Sequence, residues 1–111
     1  MALGHFRAHQ RFQVDLPVRA SARGRALTVA GSMVDLGLGG GACILDEPLR
    51  LGEEVVLLIA GDPATEIIAT VAWVGWGEAT AARVGFQFAE DALDRVAELL
   101  ERVLPHEDVG T

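Results

Sequence analysis

Between residues 12 and 88, apolar side chains fall at every second position in short runs broken by glycine and proline; beyond residue 92 they fall three and four apart. A period of two describes a strand that buries one face. A period near 3.6 describes a helix that buries one stripe. The chain is therefore expected to form short antiparallel strands followed by one helix, and that order leaves few architectures open. Residues 12–20 alternate cleanly, with Val14, Leu16, Val18 and Ala20 on one face and Gln13, Asp15, Pro17 and Arg19 on the other. Pro17 has no N–H, which points to an edge position or a bulge. Five further strands are expected at 26–36 (bulged at Gly31-Ser32), 42–45, 54–59, 66–76 and 83–88, with a glycine turn at 37–41. The strand at 66–76 is apolar on both faces and is expected to be covered on both sides. The helix is expected at 91–104, with Leu93, Val96, Ala97, Leu100, Val103 and Leu104 on its stripe and Pro105 as its stop. Glu90, Asp91 and Asp94 suit its positive N-terminal end. Six strands with bare edges invite aggregation, so the expected fold is all-β with a C-terminal helix, a closed six-stranded antiparallel β-barrel.

At 111 residues the chain is read as one domain: an irregular arm (1–11), the barrel (12–88), the helix (91–104) and a tail (105–111). Half of the residues are hydrophobic, enough for one core. The longest uncharged apolar run, 67–77, has 11 residues, against the roughly 18 needed to span a membrane. The opening MALGHFRAHQRF has no long apolar core behind its charges, so no secretory signal is expected. The single cysteine, Cys43, lies among apolar neighbours and reads as a small core residue. These features lead us to expect a cytoplasmic protein without membrane insertion.

The net charge of −7 hides an asymmetry. Residues 1–25 carry five arginines and one acid, whereas residues 26–111 carry four arginines and fifteen acids. An acidic chain repels a long polyanion, so no nucleic-acid polymer is expected as partner. A local arginine cluster still suits a small anion. All nine basic residues are arginine. The guanidinium fork fits phosphate and guanine edges, although a GC-rich genome explains the same bias.

Catalytic and metal patterns find little support. Neither Ser21 nor Ser32 sits in a nucleophile elbow. His5 and His9 are four apart but have no third ligand placed nearby. The carboxylate pairs Glu53-Glu54 and Glu90-Asp91 lie at element boundaries, where solvated turns and caps are the ordinary use. The run from Gly37 to Ala42 matches GxGxxA on paper, yet a short β-rich segment follows it where a dinucleotide site needs a helix. No catalytic residue, metal or cofactor is therefore expected.

Two features remain. The segment RAHQR supplies Arg7 and Arg11, polar arm residues with no evident core role. The segment DLGLGG supplies Asp35 and Gly40 at the end of the second expected strand. Together with VAWVGW and RVGFQF before a terminal helix, this order resembles the PilZ domain, the bacterial receptor module for cyclic di-GMP. The family carries RxxxR just before its first strand and (D/N)xSxxG at the end of its second. Over roughly residues 5–104 the chain is similar, with Gly37 standing where the family has serine.

The resemblance implies a PilZ-like barrel of the split-barrel type whose ligand is cyclic di-GMP, bound by Arg7, Arg11, Asp35, Gly37 and Gly40. Arginine suits both guanine O6/N7 and phosphate oxygens. Asp35 suits the guanine N1–H and exocyclic amine, and Gly40 lets backbone approach closely. The absent hydroxyl at Gly37 removes a hydrogen bond of about 1.5–3 kcal/mol, so Gly37→Ser is expected to tighten binding. The implied role is a receptor or adaptor that signals to a separate protein partner in motility or surface-associated behaviour. The alternatives are a degenerate PilZ-like adaptor that binds proteins and no cyclic di-GMP and, more distantly, a small barrel enzyme. Monomer and homodimer are both open.

Overall fold

The computed structural model describes residues 10–76 and 81–104. Six strands, β1 (Arg11–Ala22), β2 (Thr28–Gly37), β3 (Gly40–Leu45), β4 (Glu54–Ile59), β5 (Thr65–Trp76) and β6 (Ala82–Phe88), precede the helix α1 (Leu93–Val103). The strands close into an antiparallel barrel in the order β1-β2-β3-β6-β5-β4, β4 returning to pair with β1. Closure leaves no free edge, as the aggregation argument requires. The turn expected at 77–80 and the tail from 105, with Pro105, lie outside the described residues, as do residues 1–9 of the arm.

The alternation seen in sequence becomes an inside and an outside. Val18, Ala20, Met33, Cys43, Leu45, Val55, Leu57, Ile59, Ile67, Val71 and Val84 fill the interior. Burial pushes the Cys43 thiol up to about 12, so it is a protonated core group at neutral pH. No described helix is long and apolar enough to cross a membrane.

Several local expectations are corrected. Pro17 is on no edge: it pairs with Ser32 in the closed barrel, and its carbonyl accepts from the Ala60 N–H at 2.9 Å. The nearby irregularity on β1 falls between Gln13 and Leu16. On β2 the register shift against β3 lies between Met33 and Asp35, beyond the expected Gly31-Ser32. Strand β5 is not covered on both sides. Ile67, Ala69 and Val71 point inward, while Glu66, Thr70, Ala72 and Trp73 are exposed. A register shift between Val71 and Trp73 breaks the alternation there and makes a one-sided strand read as two-sided.

A 3-10 turn at Glu90–Ala92 leads into α1, which buries Val96, Ala97, Leu99 and Leu100. The stripe is rotated from the expected one: Leu99 is 1% exposed and Leu93 is 38% exposed. Ala92, Val96, Leu99 and Val103 keep the three-and-four spacing, so the pattern fits two neighbouring faces equally well. Arg95 and Arg102 reach back from the helix to β5, donating to the Glu66 carbonyl, the Pro63 carbonyl and Thr65 Oγ1 at 2.8–3.0 Å. Leu99→Ala is expected to cost about 2–5 kcal/mol in urea unfolding, and Leu93→Ala less than about 1 kcal/mol. Equal losses would place the helix the wrong way round.

Candidate functional site

The turn between β2 and β3 is shorter than its glycines suggest. Strand β2 runs through Gly37, β3 begins at Gly40, and only Leu38 and Gly39 lie between. Among the described glycines only Gly52 has a left-handed φ, so these glycines do not serve the turn by their backbone angles. Most of them serve it by leaving space. A Cβ on Gly41 would stand 2.6 Å from the Asp35 carbonyl oxygen, and one on Gly40 would run into the Phe86 carbonyl. Strands β2, β3 and β6 can pack this closely because no side chain intervenes.

Asp35 reaches the outer wall through the shift on β2. Strict alternation from the buried Met33 would send it inward. The extra residue, Val34, lets Asp35 pair outward with Ala42 of β3. Arg11, expected to end an irregular arm, is the first residue of β1 and pairs with Gly37. Its Nη1 lies 3.6 Å from Asp35 Oδ1, with the two side chains 49% and 36% exposed. That distance gives charge attraction without a hydrogen bond, and half-exposed pairs contribute about 0–1 kcal/mol. Asp35 Oδ1 is itself shielded from solvent and has no hydrogen-bond partner among the described residues. A shielded acceptor of this kind is uncommon in folded proteins and fits a donor brought by a ligand.

The structure thus brings Arg11, Asp35, Gly37 and Gly40 together at one end of the barrel wall. Arg7, the fifth expected site residue, lies outside the described residues, as do His5 and His9. Gly37 needs a different account from the one expected. A Cβ there would stand 2.6 Å from the Gln10 carbonyl oxygen and 2.8 Å from Arg11 Cδ. The space that a side chain at position 37 would need is occupied by this chain's own Gln10-Arg11 backbone and the Arg11 stem. Gly37→Ser therefore has to push the start of β1 aside before its hydroxyl can meet any ligand. We expect Gly37→Ser and Gly37→Ala to destabilise the unliganded protein by about 1–3 kcal/mol, read as a lowered Tm. An unchanged Tm for both would show that the start of β1 yields freely.

The N-terminal arginine cluster is divided by the fold. Arg23 and Arg25, at the far end of β1, line an open cleft with Arg50, Leu51, Glu53 and Glu54. Their charges are engaged there. Arg25 donates to both Glu53 oxygens at 2.7 and 2.9 Å, and Arg23 lies 3.3 Å from Glu54. The Arg25 hydrogen bonds, aided by the Arg50 N–H, hold the Glu53 carboxyl down at about 2, against an ordinary 4.5. Because the folded-state value is depressed, this pair stabilises the fold above about pH 4.5. That contribution fades as the pH falls from there towards 2. In Glu53→Gln the loss of stability between pH 5 and pH 2 is expected to be visibly shallower, measured by urea midpoints across that range. A curve parallel to that of the unsubstituted protein would remove Glu53 from the acid response.

One residue of the wall is not expected from sequence. Trp73 lies on the outer face of β5, opposite Gly85 of β6. Alternation from Ile67, Ala69 and Val71 would place it in the core, and the only signal against that is a register shift that a single sequence does not display.

The sequence matches the PilZ domain family over residues 5–104. The closed barrel and the Arg11/Asp35 wall therefore belong to a small β-barrel module of a defined class, and the chain is a member of the PilZ domain family. No curated protein matches it. Among solved structures, the PilZ domain of Escherichia coli YcgR with c-di-GMP superposes with a TM-score of 0.65 at 20% identity, covering 86% of this chain and 92% of that one. The PilZ domain of CeSA from a cellulose-synthesizing bacterium gives 0.63 at 21% identity, covering 85% and 94%. The Bacillus subtilis inhibitor of motility MotI gives 0.64 at 16% identity; 86% of this chain is covered, and the chain spans 50% of MotI. At these identities the likeness is one of fold.

Proposed function

We propose that this chain is a cyclic di-GMP receptor or adaptor that carries out no catalysis itself and passes its signal to a separate protein. The observation that carries the reading is Asp35 Oδ1: shielded, without a hydrogen-bond partner among the described residues, and 3.6 Å from an arginine it does not bond. Guanine presents two donors on one edge, N1–H and the exocyclic amine, and a carboxylate accepts both. Arg11 sits where it can turn from Asp35 to guanine O6/N7 or to a phosphate oxygen. A half-exposed pair without a hydrogen bond gives up little when it opens. Support from relatives is of two kinds: YcgR is solved with c-di-GMP, and MotI is named for inhibiting motility. We take motility as the setting of the output and the cytoplasm as its place.

A second reading has its own observation. Gly37 lets the Gln10-Arg11 segment occupy the space that a side chain at position 37 would need, as would suit an adaptor that has given up its ligand and binds proteins alone. Calorimetric titration separates the two. The receptor reading expects saturable binding of cyclic di-GMP, with GTP and cyclic di-AMP as weak controls. It expects Arg11→Ala and Asp35→Asn each to weaken binding about 5- to 100-fold, the size of one good guanine contact. Absence of saturable binding up to high micromolar ligand would leave the adaptor reading. Binding unchanged in both variants would move the site elsewhere on the barrel.

A further inference from the structure

The outer face of β1 changes character along its length. One end carries Arg11, Gln13 and Asp15. Further on, strand pairing sets Leu58 of β4, Arg19 of β1 and Ala30 of β2 in one outward row, with Val18 and Ala20 buried on either side of Arg19 along the strand. The neighbouring outward positions are uncharged: Pro17 with Ser32 before the row, and Ser21 between Val56 and Thr28 after it. Arg19 is the one charge within this patch of three strands. The acids that end its row, Glu66 next to Leu58 and Asp46 next to Ala30, each stand two strands away, about 10 Å.

The patch is also concave. A groove of about 420 Å³ is lined in part by Ala30, Ala60 and Ala64, with Pro17, Arg19 and Leu58 beside them. The barrel ladder holds its shape, since the Ala60 N–H donates to the Pro17 carbonyl at 2.9 Å. Leu58 is 44% exposed. No described residue makes a hydrogen bond or ion pair with the Arg19 guanidinium. Arg11, Arg23, Arg25, Arg95 and Arg102 each meet a carboxylate, a carbonyl or a hydroxyl. A single exposed leucine is ordinary. A leucine and an unpartnered arginine beside one small-residue groove offer an apolar seat and a charged fork together, the pairing that anchors interfaces.

We infer that this groove is the docking site for a protein partner whose contacting segment carries a carboxylate beside an apolar side chain. The inference rests on the part of the proposed function that both readings share, a separate protein partner. The carboxylate takes the Arg19 fork, and the apolar neighbour packs on Leu58 over the alanines. Charge selects this occupant. A nucleic acid needs several cations in a row, and the groove has one on a chain with sixteen acids. A second copy docked about a two-fold axis through the groove sets Arg19 against Arg19, like charge on like. Position also suits an output surface. Arg19 is six residues from Gln13, the partner of Asp35, so about 20 Å of β1 separates the groove from the Arg11/Asp35 wall. A partner in the groove leaves that wall open.

The test pans a displayed library of short random peptides against the immobilised full chain, with an Arg19→Glu, Leu58→Ser double variant panned in parallel. Peptides with an acid beside an apolar residue should be enriched on the parent and not on the variant. A selected peptide, made synthetically, should bind Arg19→Ala about 5- to 30-fold more weakly than the parent by calorimetry. Replacing its acid by the amide should cost as much on the parent and nothing on Arg19→Ala. Bound to the parent, it should slow amide hydrogen exchange at Arg19, Ala30 and Leu58. That measurement needs no substitution, so it decides the matter even where a variant fails to fold. The groove is refuted if no peptide is enriched over the variant, if enriched peptides lack an acid, or if protection falls elsewhere on the barrel. Self-association of the parent by sedimentation, lost in Arg19→Glu, would give the groove to a second copy and refute it too. Cyclic di-GMP titration keeps the two proposals apart: Arg19→Glu should bind it as the parent does. A parent that does not bind it ends the receptor reading and leaves the groove standing, whereas failed panning leaves the receptor reading standing.

Discussion

The outer wall of this barrel is made by residues in excess. At one level of the sheet, β1, β2 and β5 each carry a residue that its neighbour does not match. A strand's side chains change face with every residue, so one unmatched residue reverses the facing of everything beyond it. That reversal turns Asp35 and Trp73 away from the interior. It also lets Leu36 and Val74 return to the packed side directly afterwards. A barrel without these bulges would meet a carboxylate inside its core, and the cost of burying an unpaired charge there exceeds the cost of an irregular ladder. The polar wall and the apolar interior are thus two consequences of one register.

The close packing of β2, β3 and β6 depends on the glycines at the same level. Gly40, Gly41 and Gly85 each leave a space that another group uses: the Phe86 carbonyl, the Asp35 carbonyl and the Trp73 indole. Gly37 leaves one for Gln10 and Arg11. A run such as GLGGG reads first as conformational freedom, yet none of the described glycines in it has the left-handed angle that freedom would serve. Contact distance accounts for Gly37, Gly40 and Gly41. Gly39, whose Cβ would meet nothing within 4 Å, has no such requirement.

What is legible in the sequence follows from what a single chain can encode locally. Period-two alternation and, at 66–76, an apolar run between turn residues locate the six strands, and the shift to a three-and-four spacing locates the helix, because each reflects burial within one element. RAHQR and DLGLGG point to Arg11, Asp35 and Gly40, and these do converge. The failures have a common cause. Whether Leu93 or Leu99 faces inward, whether Trp73 is core or surface, and what fills the space beside Gly37 are all settled by a neighbouring element. Bulge positions depend on pairing between strands, and the sequence of one strand does not contain its partner's register.

The charge distribution constrains how a dianionic ligand can be held. The excess of arginine in the first quarter of the chain looks like one anion-binding cluster, but the fold spreads its described members along β1, with Arg11 at one end, Arg19 in the middle and Arg23 and Arg25 beyond the other. Arg23 and Arg25 are tied to Glu54 and Glu53 at the far end of β1. Arg95 and Arg102 of α1 are tied to β5, leaving acids such as Asp94 and Glu98 exposed on the helix. Arg11 is the arginine that the described residues place at the glycine turn, and its charge is partly offset by Asp35. Long-range attraction is therefore weak for a ligand approaching a chain of net charge −7. Under the receptor reading, affinity has to come from short-range contacts that hold when screened, an edge read by Asp35 and a fork from Arg11, with little help from the field of the whole chain.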